Sequence, residues 1–169
     1  MTTRITEPKE LYSKERGKLI MDNDDYIYHF TCRFHLLSIL AERRLSLTTS
    51  NFSLDNLSLY PVVWLTDSPT PDNMGLLFDK NIPPELNKTH IRLALFKEPY
   101  MKHWDEWSES KSMDKAAKQI LISTANAKET YKTWYVSERE IPLGDVMFIE
   151  DMTTGNLLWE NGEDEEWQP

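Results

Sequence analysis

Tyr26-Ile27-Tyr28-His29-Phe30-Thr31, followed two residues later by Phe34-His35-Leu36-Leu37-Ser38-Ile39-Leu40-Ala41-Glu42-Arg43-Arg44-Leu45, is the passage on which the fold turns. Tyr26, Tyr28 and Phe30 alternate with Ile27, His29 and Thr31. Successive side chains of an extended chain point to opposite sides, so this alternation predicts a strand whose two faces differ in chemistry. His29 then lies beside Thr31. A polar pair on an otherwise apolar strand is either a hydrogen-bonded core or edge feature or the place where a site sits, and His29 is the first candidate. The next residues predict a helix over about 33–43, with Phe34, Leu37, Leu40 and Ala41 inward. Arg43 and Arg44 in its last turn suit the negative end of the helix dipole.

Before this passage, residues 1–24 are polar and basic, with Lys9, Lys14, Arg16 and Lys18, and read as an arm carrying one helix between Lys9 and Ile20. After it, Leu45 to Thr48 is expected as a short strand and Thr49 to Tyr60, rich in Ser, Thr and Asn, as a loop. Val62 to Thr66 is β-branched and aromatic enough for a buried strand. Thr66-Asp67-Ser68-Pro69 turns the chain, Asp72 or Thr70 caps a short helix reaching Leu77, and Pro83-Pro84 marks a loop. His90 to Phe96 is a further strand. Arg92 sits among apolar residues there and requires a carboxylate or a bound anion, because an unpaired buried charge costs roughly several kcal/mol.

From Met113, Ala116, Ala117, Ile120, Leu121 and Thr124 recur at helical spacing, with Ser110 or Ser112 as the expected cap. A polar linker over Asn126 to Lys132 precedes three strands, Thr133 to Ser137, Val146 to Glu150 and Asn156 to Glu160, separated by turn residues. A strand-helix-strand start, a middle helix and a run of late strands make an α+β pattern. The organisation is a polar arm (1–24), one α+β domain (25–160) and an acidic tail (161–169).

The 169 residues, 40% of them hydrophobic, can bury one core without disulfides or metal. No apolar run approaches the roughly 20 residues of a membrane span. Met1 to Pro8 has no hydrophobic segment of secretory type, so a cytoplasmic protein is expected. The single cysteine, Cys32, agrees with a reducing compartment. Cys32 and His35 have Cys-x-x-His spacing, but no second ligand pair follows and His90 and His103 are far apart, so no metal site is expected. The net charge of −9 is concentrated at the end, where Glu160, Glu163, Asp164, Glu165 and Glu166 are unaccompanied by any base. Those five set aside, 23 acids face 19 bases, which gives no global field favouring nucleic acid. The tail is either a solvated terminus or an acidic peptide that docks on a basic partner.

Together with Val62-Val63-Trp64-Leu65-Thr66-Asp67-Ser68-Pro69, the opening passage resembles the amino-terminal half of the ADP-ribosyltransferase superfamily. It is most similar to the branch with an aromatic-His-x-Thr strand and a Leu-x-x-Ile-Leu helix, as in DNA-modifying ADP-ribosyltransferases and RNA 2'-phosphotransferases. The likeness covers about residues 26–69 and, less specifically, 133–150. It implies a half-sandwich of short, mainly antiparallel strands with flanking helices. It also implies NAD as the ligand, transfer of ADP-ribose to a macromolecular acceptor (protein or nucleic acid), and contact of His29 with a ribose hydroxyl, with Thr31 beside it.

Such transfer requires orientation of NAD and stabilisation of a ribosyl cation, for which the family carries a late-strand glutamate. Glu138 and Glu140, at i and i+2, are the candidates and are expected on one side of an extended strand. Their Glu-x-Glu spelling resembles the arginine-modifying members. Spacing to Ile141-Pro142 instead puts Trp134 or Tyr135 where DNA-modifying members carry glutamate. A solvated charged pair at a strand end is the alternative reading of Glu138 and Glu140. Tyr28 and Trp64, with Trp134 and Tyr135, are candidates for stacking on nicotinamide or adenine, or are core. Arg92 is a candidate for the cofactor's anionic part. His103-Trp104-Asp105-Glu106-Trp107 reads as the cover of a core edge or as a partner-binding loop. Five glycines and no Gly-rich phosphate loop exclude Walker and Rossmann readings. The alternative function is an inactive ADP-ribosyltransferase-like scaffold that binds a protein through the acidic tail or the Trp104/Trp107 segment. A 2'-phosphotransferase should show a basic groove, and no basic cluster stands outside the arm.

Overall fold

The computed structural model describes residues 25–48, 60–71, 81–124 and 129–162. The expected arm and its helix, most of the loop after Thr48, the helix reaching Leu77 and residues 163–169 of the tail lie outside them. The protein is of mixed α+β class, and its described residues form an antiparallel sheet with three α-helices.

The sheet has seven strands in the order β5-β6-β3-β1-β4-β8-β9, every neighbouring pair antiparallel. The strands are β1 (Tyr26–Thr31), β3 (Val63–Thr66), β4 (Ile91–Phe96), β5 (Lys102–His103), β6 (Trp134–Ser137), β8 (Val146–Asp151) and β9 (Asn156–Glu160). β2 (Arg44–Leu45) and β7 (Ile141–Pro142) form a separate two-stranded ribbon. Period-2 alternation assigns the faces. Ile27, Val63, Leu65, Ile91, Leu93, Leu95 and Ile149 share one core with Leu36 and Ile39 of helix α1 (Arg33–Glu42) and with Leu45, Ile141 and Leu143 of the ribbon and its following turn. On the opposite face, Tyr28, Phe30, Ala94 and Phe148 form one cluster. Val62, Trp134 and Val136 form another under Trp104 and Trp107 of α2 (Trp104–Ser110) and Leu121 and Ile122 of α3 (Lys115–Thr124). β4 is buried from Ile91 to Leu95 because the sheet is covered on both sides there.

Two helical faces differ from the periodicity reading. In α1, Leu36 and Ile39 point inward with Leu40 packed beside them, while Phe34 and Leu37 are 58% and 51% exposed. Apolar residues surround this helix almost evenly, so spacing alone does not select the buried stripe. The helix also ends before its arginines: Arg43 is a left-handed C-cap at φ 56° whose N–H donates to Ile39 O, and Arg44 belongs to β2. In α3, Leu121 and Ile122 are buried and Ile120 is exposed. Its cap is Asp114, whose Oδ1 accepts from the amides of Ala116 (2.7 Å) and Ala117 (3.2 Å), in place of Ser110 or Ser112.

Candidate functional site

β1 pairs with β4 along its whole length, yet shares with β3 the single register pair Tyr28 opposite Thr66. The Asp67 amide donates to Thr133 O on the β6 side, so by alternation the Trp64 carbonyl points toward β1. A side chain takes it: His29 Nδ1 lies 2.8 Å from Trp64 O. A carbonyl only accepts, so Nδ1 carries the proton and donates. Burial lowers the pKa of His29; the bond to Trp64 opposes this, and the positive charges of Lys88 and His35 add to the lowering. The ring is neutral at pH 7, which leaves Nε2 as an acceptor of one hydroxyl hydrogen bond. Half-buried His29 and buried Thr31 occupy the same sheet face, Thr31 opposite Ile91.

The other cofactor candidates lie on the reverse face. Tyr28 is buried, and the Arg92 guanidinium stands 5.3 Å above its ring. Burial raises the Tyr28 pKa. Arg92 meets a carboxylate, the first of the partners anticipated for it: its guanidinium donates to Glu150 Oε2 at 2.5 Å and to Pro69 O at 2.7 Å. Trp64 is half-buried and packs edge-on against Trp134 at 5.8 Å, within the cluster under α2 and α3. Trp104 and Trp107 are buried in that cluster, so the segment covers a core edge.

Glu138 and Glu140 do not share one strand face. β6 ends at Ser137, whose hydroxyl donates to Arg139 O (2.7 Å) and accepts from Arg139 N (3.3 Å), a side-chain turn that bends the chain out of the sheet. Glu138 turns to the α2 side and pairs with Lys111 Nζ at 2.5 Å; that hydrogen bond holds its carboxyl below the usual range. Glu140 pairs with Arg44 at 3.2 Å beside the ribbon. Arg139 neutralises neither and stacks 3.3 Å over the Tyr100 ring. Register places Ser137, the last residue of β6, two strands across and two residues along from His29, roughly 12 Å between Cα atoms, and Glu138 lies beyond it.

A polar group absent from the sequence reading lies on the His29 face. Tyr135 stands in the same transverse row as His29, with Leu65 between them. Lys97 Nζ donates to Tyr135 Oη at 2.6 Å, and the His103 ring meets Tyr135 edge-on at 5.1 Å. His103 Nδ1 accepts from Asp105 N (3.3 Å) as the cap of α2, while Nε2 donates to Lys132 O (2.6 Å), which defines its tautomer. Asp67, one residue past β3, completes the group. Partial burial of its carboxyl raises the pKa, and Lys97, His103 and a hydrogen bond from Tyr135 pull it back. Asp67 reads in sequence as a turn residue and Tyr135 as a stacking aromatic; only strand pairing joins them.

Among the described residues, no group of three or more His, Cys, Asp or Glu is placed to hold a metal ion, and no helix is long and apolar enough to cross a membrane. Compared with family models, curated proteins and solved structures, the chain shows no match to any of the three.

Proposed function

We propose that the chain is an ADP-ribosyltransferase-like protein of the half-sandwich type that binds NAD where β1 leaves β3 and transfers ADP-ribose to a macromolecular acceptor. The observation that carries this reading is His29, kept neutral by burial and fixed through Nδ1 to Trp64 O, so that Nε2 is the ring's remaining acceptor. A hydroxyl donating to an imidazole lone pair is the polarity that the aromatic-His-x-Thr motif implies. The test is thermal unfolding with NAD at millimolar concentration. At a hundredfold excess over Kd the gain is about 2.7 kcal/mol, which for a domain of this size is a rise of about 5–10 °C in Tm. His29→Ala should abolish the rise, and a wild-type Tm indifferent to NAD refutes the reading.

A second reading is a catalytically inactive scaffold of the same fold that binds a protein. It is favoured by the pairing of Glu138 with Lys111 and of Glu140 with Arg44, which leaves neither glutamate turned to His29. With Trp104 and Trp107 buried, the acidic tail is the docking element of that reading. Binding of NAD without release of nicotinamide, whatever acceptor is offered, selects it.

A further inference from the structure

We propose that Asp67 is the carboxylate that faces the ribosyl cation, with Tyr135 and Lys97 as its positioning residues; the assignment rests on the NAD reading above. The register pair Tyr28 opposite Thr66 puts Leu65 across from His29, so Asp67 is the diagonal neighbour of His29 on the same face. Such neighbours are about 7–8 Å apart, within joint reach of one ligand ring. Glu138, by contrast, lies beyond the bend after Ser137 and on the α2 side, paired with Lys111.

The charges point the same way. Glu138, Glu140, Glu150 and Asp151 are each engaged by a basic side chain, whereas no ion pair engages Asp67 among the described residues. Asp67 is exposed as a residue, while its carboxyl is partly desolvated. Lys97 Nζ holds the Tyr135 hydroxyl at 2.6 Å, and the β3–β6 register, continued by the Asp67 amide to Thr133 O, sets Tyr135 diagonal to Asp67 on the same face. The carboxylate is thus flanked by a fixed hydroxyl and set to meet a cation that forms during reaction, where a preorganised group is most effective.

In that step the C1'–N bond of the nicotinamide ribose breaks and its electron pair leaves with the ring nitrogen, so that the pyridinium departs as neutral nicotinamide. C1', cationic and held beside Asp67, accepts an electron pair from the nucleophilic atom of the acceptor. The proton of that atom passes to the Asp67 carboxylate and then to water.

The experiment compares nicotinamide release and the NAD-induced Tm shift in the full chain for Asp67→Asn, Asp67→Glu, Tyr135→Phe and His29→Ala. The expected result is a loss of about 10²-fold or more in kcat for Asp67→Asn with its Tm shift retained. Asp67→Glu should recover part of the rate. Tyr135→Phe should lower kcat at unchanged KM, since it disturbs orientation and not binding. Full turnover by Asp67→Asn, in a background where His29→Ala is inactive, overturns the assignment. So does a wild-type protein that binds NAD and releases no nicotinamide. Failure of the wild-type protein to bind NAD is a different result, because it removes the NAD reading itself.

Discussion

Replacing Glu150 with leucine leaves the Arg92 guanidinium charged on a covered sheet face, where its side chain is 3% exposed and that of Glu150 is 18% exposed. Of its partners among the described residues, the Pro69 carbonyl and the Tyr28 ring remain, and neither of these two carries a charge. Breaking a buried pair from one side costs about 3–5 kcal/mol. With an m-value of about 2 kcal/mol/M in urea, the unfolding midpoint falls by about 2 M. Arg92→Leu should cost less, about 1–3 kcal/mol, because the Glu150 carboxylate retains access to water. The double variant should lose less than the two single losses combined, since an apolar replacement of a buried pair is often close to neutral. The coupling energy should reach about 2 kcal/mol. Urea denaturation at pH 7 measures all four corners of the cycle. Additivity within about 0.5 kcal/mol would refute the claim that the two charges stabilise one another. The double variant should also keep its NAD-induced Tm shift, because Arg92 lies on the face opposite His29.

Two further outcomes concern pH. In the unfolded chain His29 takes up a proton near its ordinary value of 6.5, whereas the folded protein resists until lower pH because burial disfavours the charged ring. Its contribution is therefore present above pH 6.5, is lost as pH falls through the folded value and is flat below it. His29→Gln should flatten the stability profile in that acid window, and an unchanged profile contradicts a histidine held neutral by partial burial. Asp151 has the opposite charge type: burial alone raises its pKa, but hydrogen bonds from Thr153, the Arg33 charge and the Thr154 amide outweigh burial and hold it below its ordinary value. Its stabilisation is present above about pH 4 and is lost as pH falls through the lower folded value. Asp151→Asn should cost about 1–3 kcal/mol at neutral pH, with the difference from wild type narrowing on acidification.

The central strand was legible because Tyr26 to Thr31 alternates without interruption, and β9 matches its expected limits because turn residues bound it. Alternation also separates Tyr28 from His29. The inward stripe of α1 was not legible, since residues 34, 37 and 41 and residues 36, 39 and 40 make equally good stripes and only the docked sheet chooses between them. β5 and β7 are two residues each, too short for any period to show. The bend after Ser137 depends on its hydroxyl, which strand propensity does not register, so spacing alone sets the two glutamates on one face. Asp67, Lys97, His103 and Tyr135 come from four separate stretches, and no local pattern predicts their meeting.

The strand order carries a consequence for how the chain comes together. β1 is the first described strand to be synthesised, yet it ends at the centre of the sheet, between partners that follow after dozens of residues: Tyr28 faces Thr66 on one side and Ala94 on the other. Closing loops of this length costs entropy before any pairing repays it, which puts folding in the slower range of small domains. Until β4 emerges from the ribosome, the apolar edge of the histidine-bearing strand is open to any extended segment nearby, and the interval of greatest risk for association lies during synthesis.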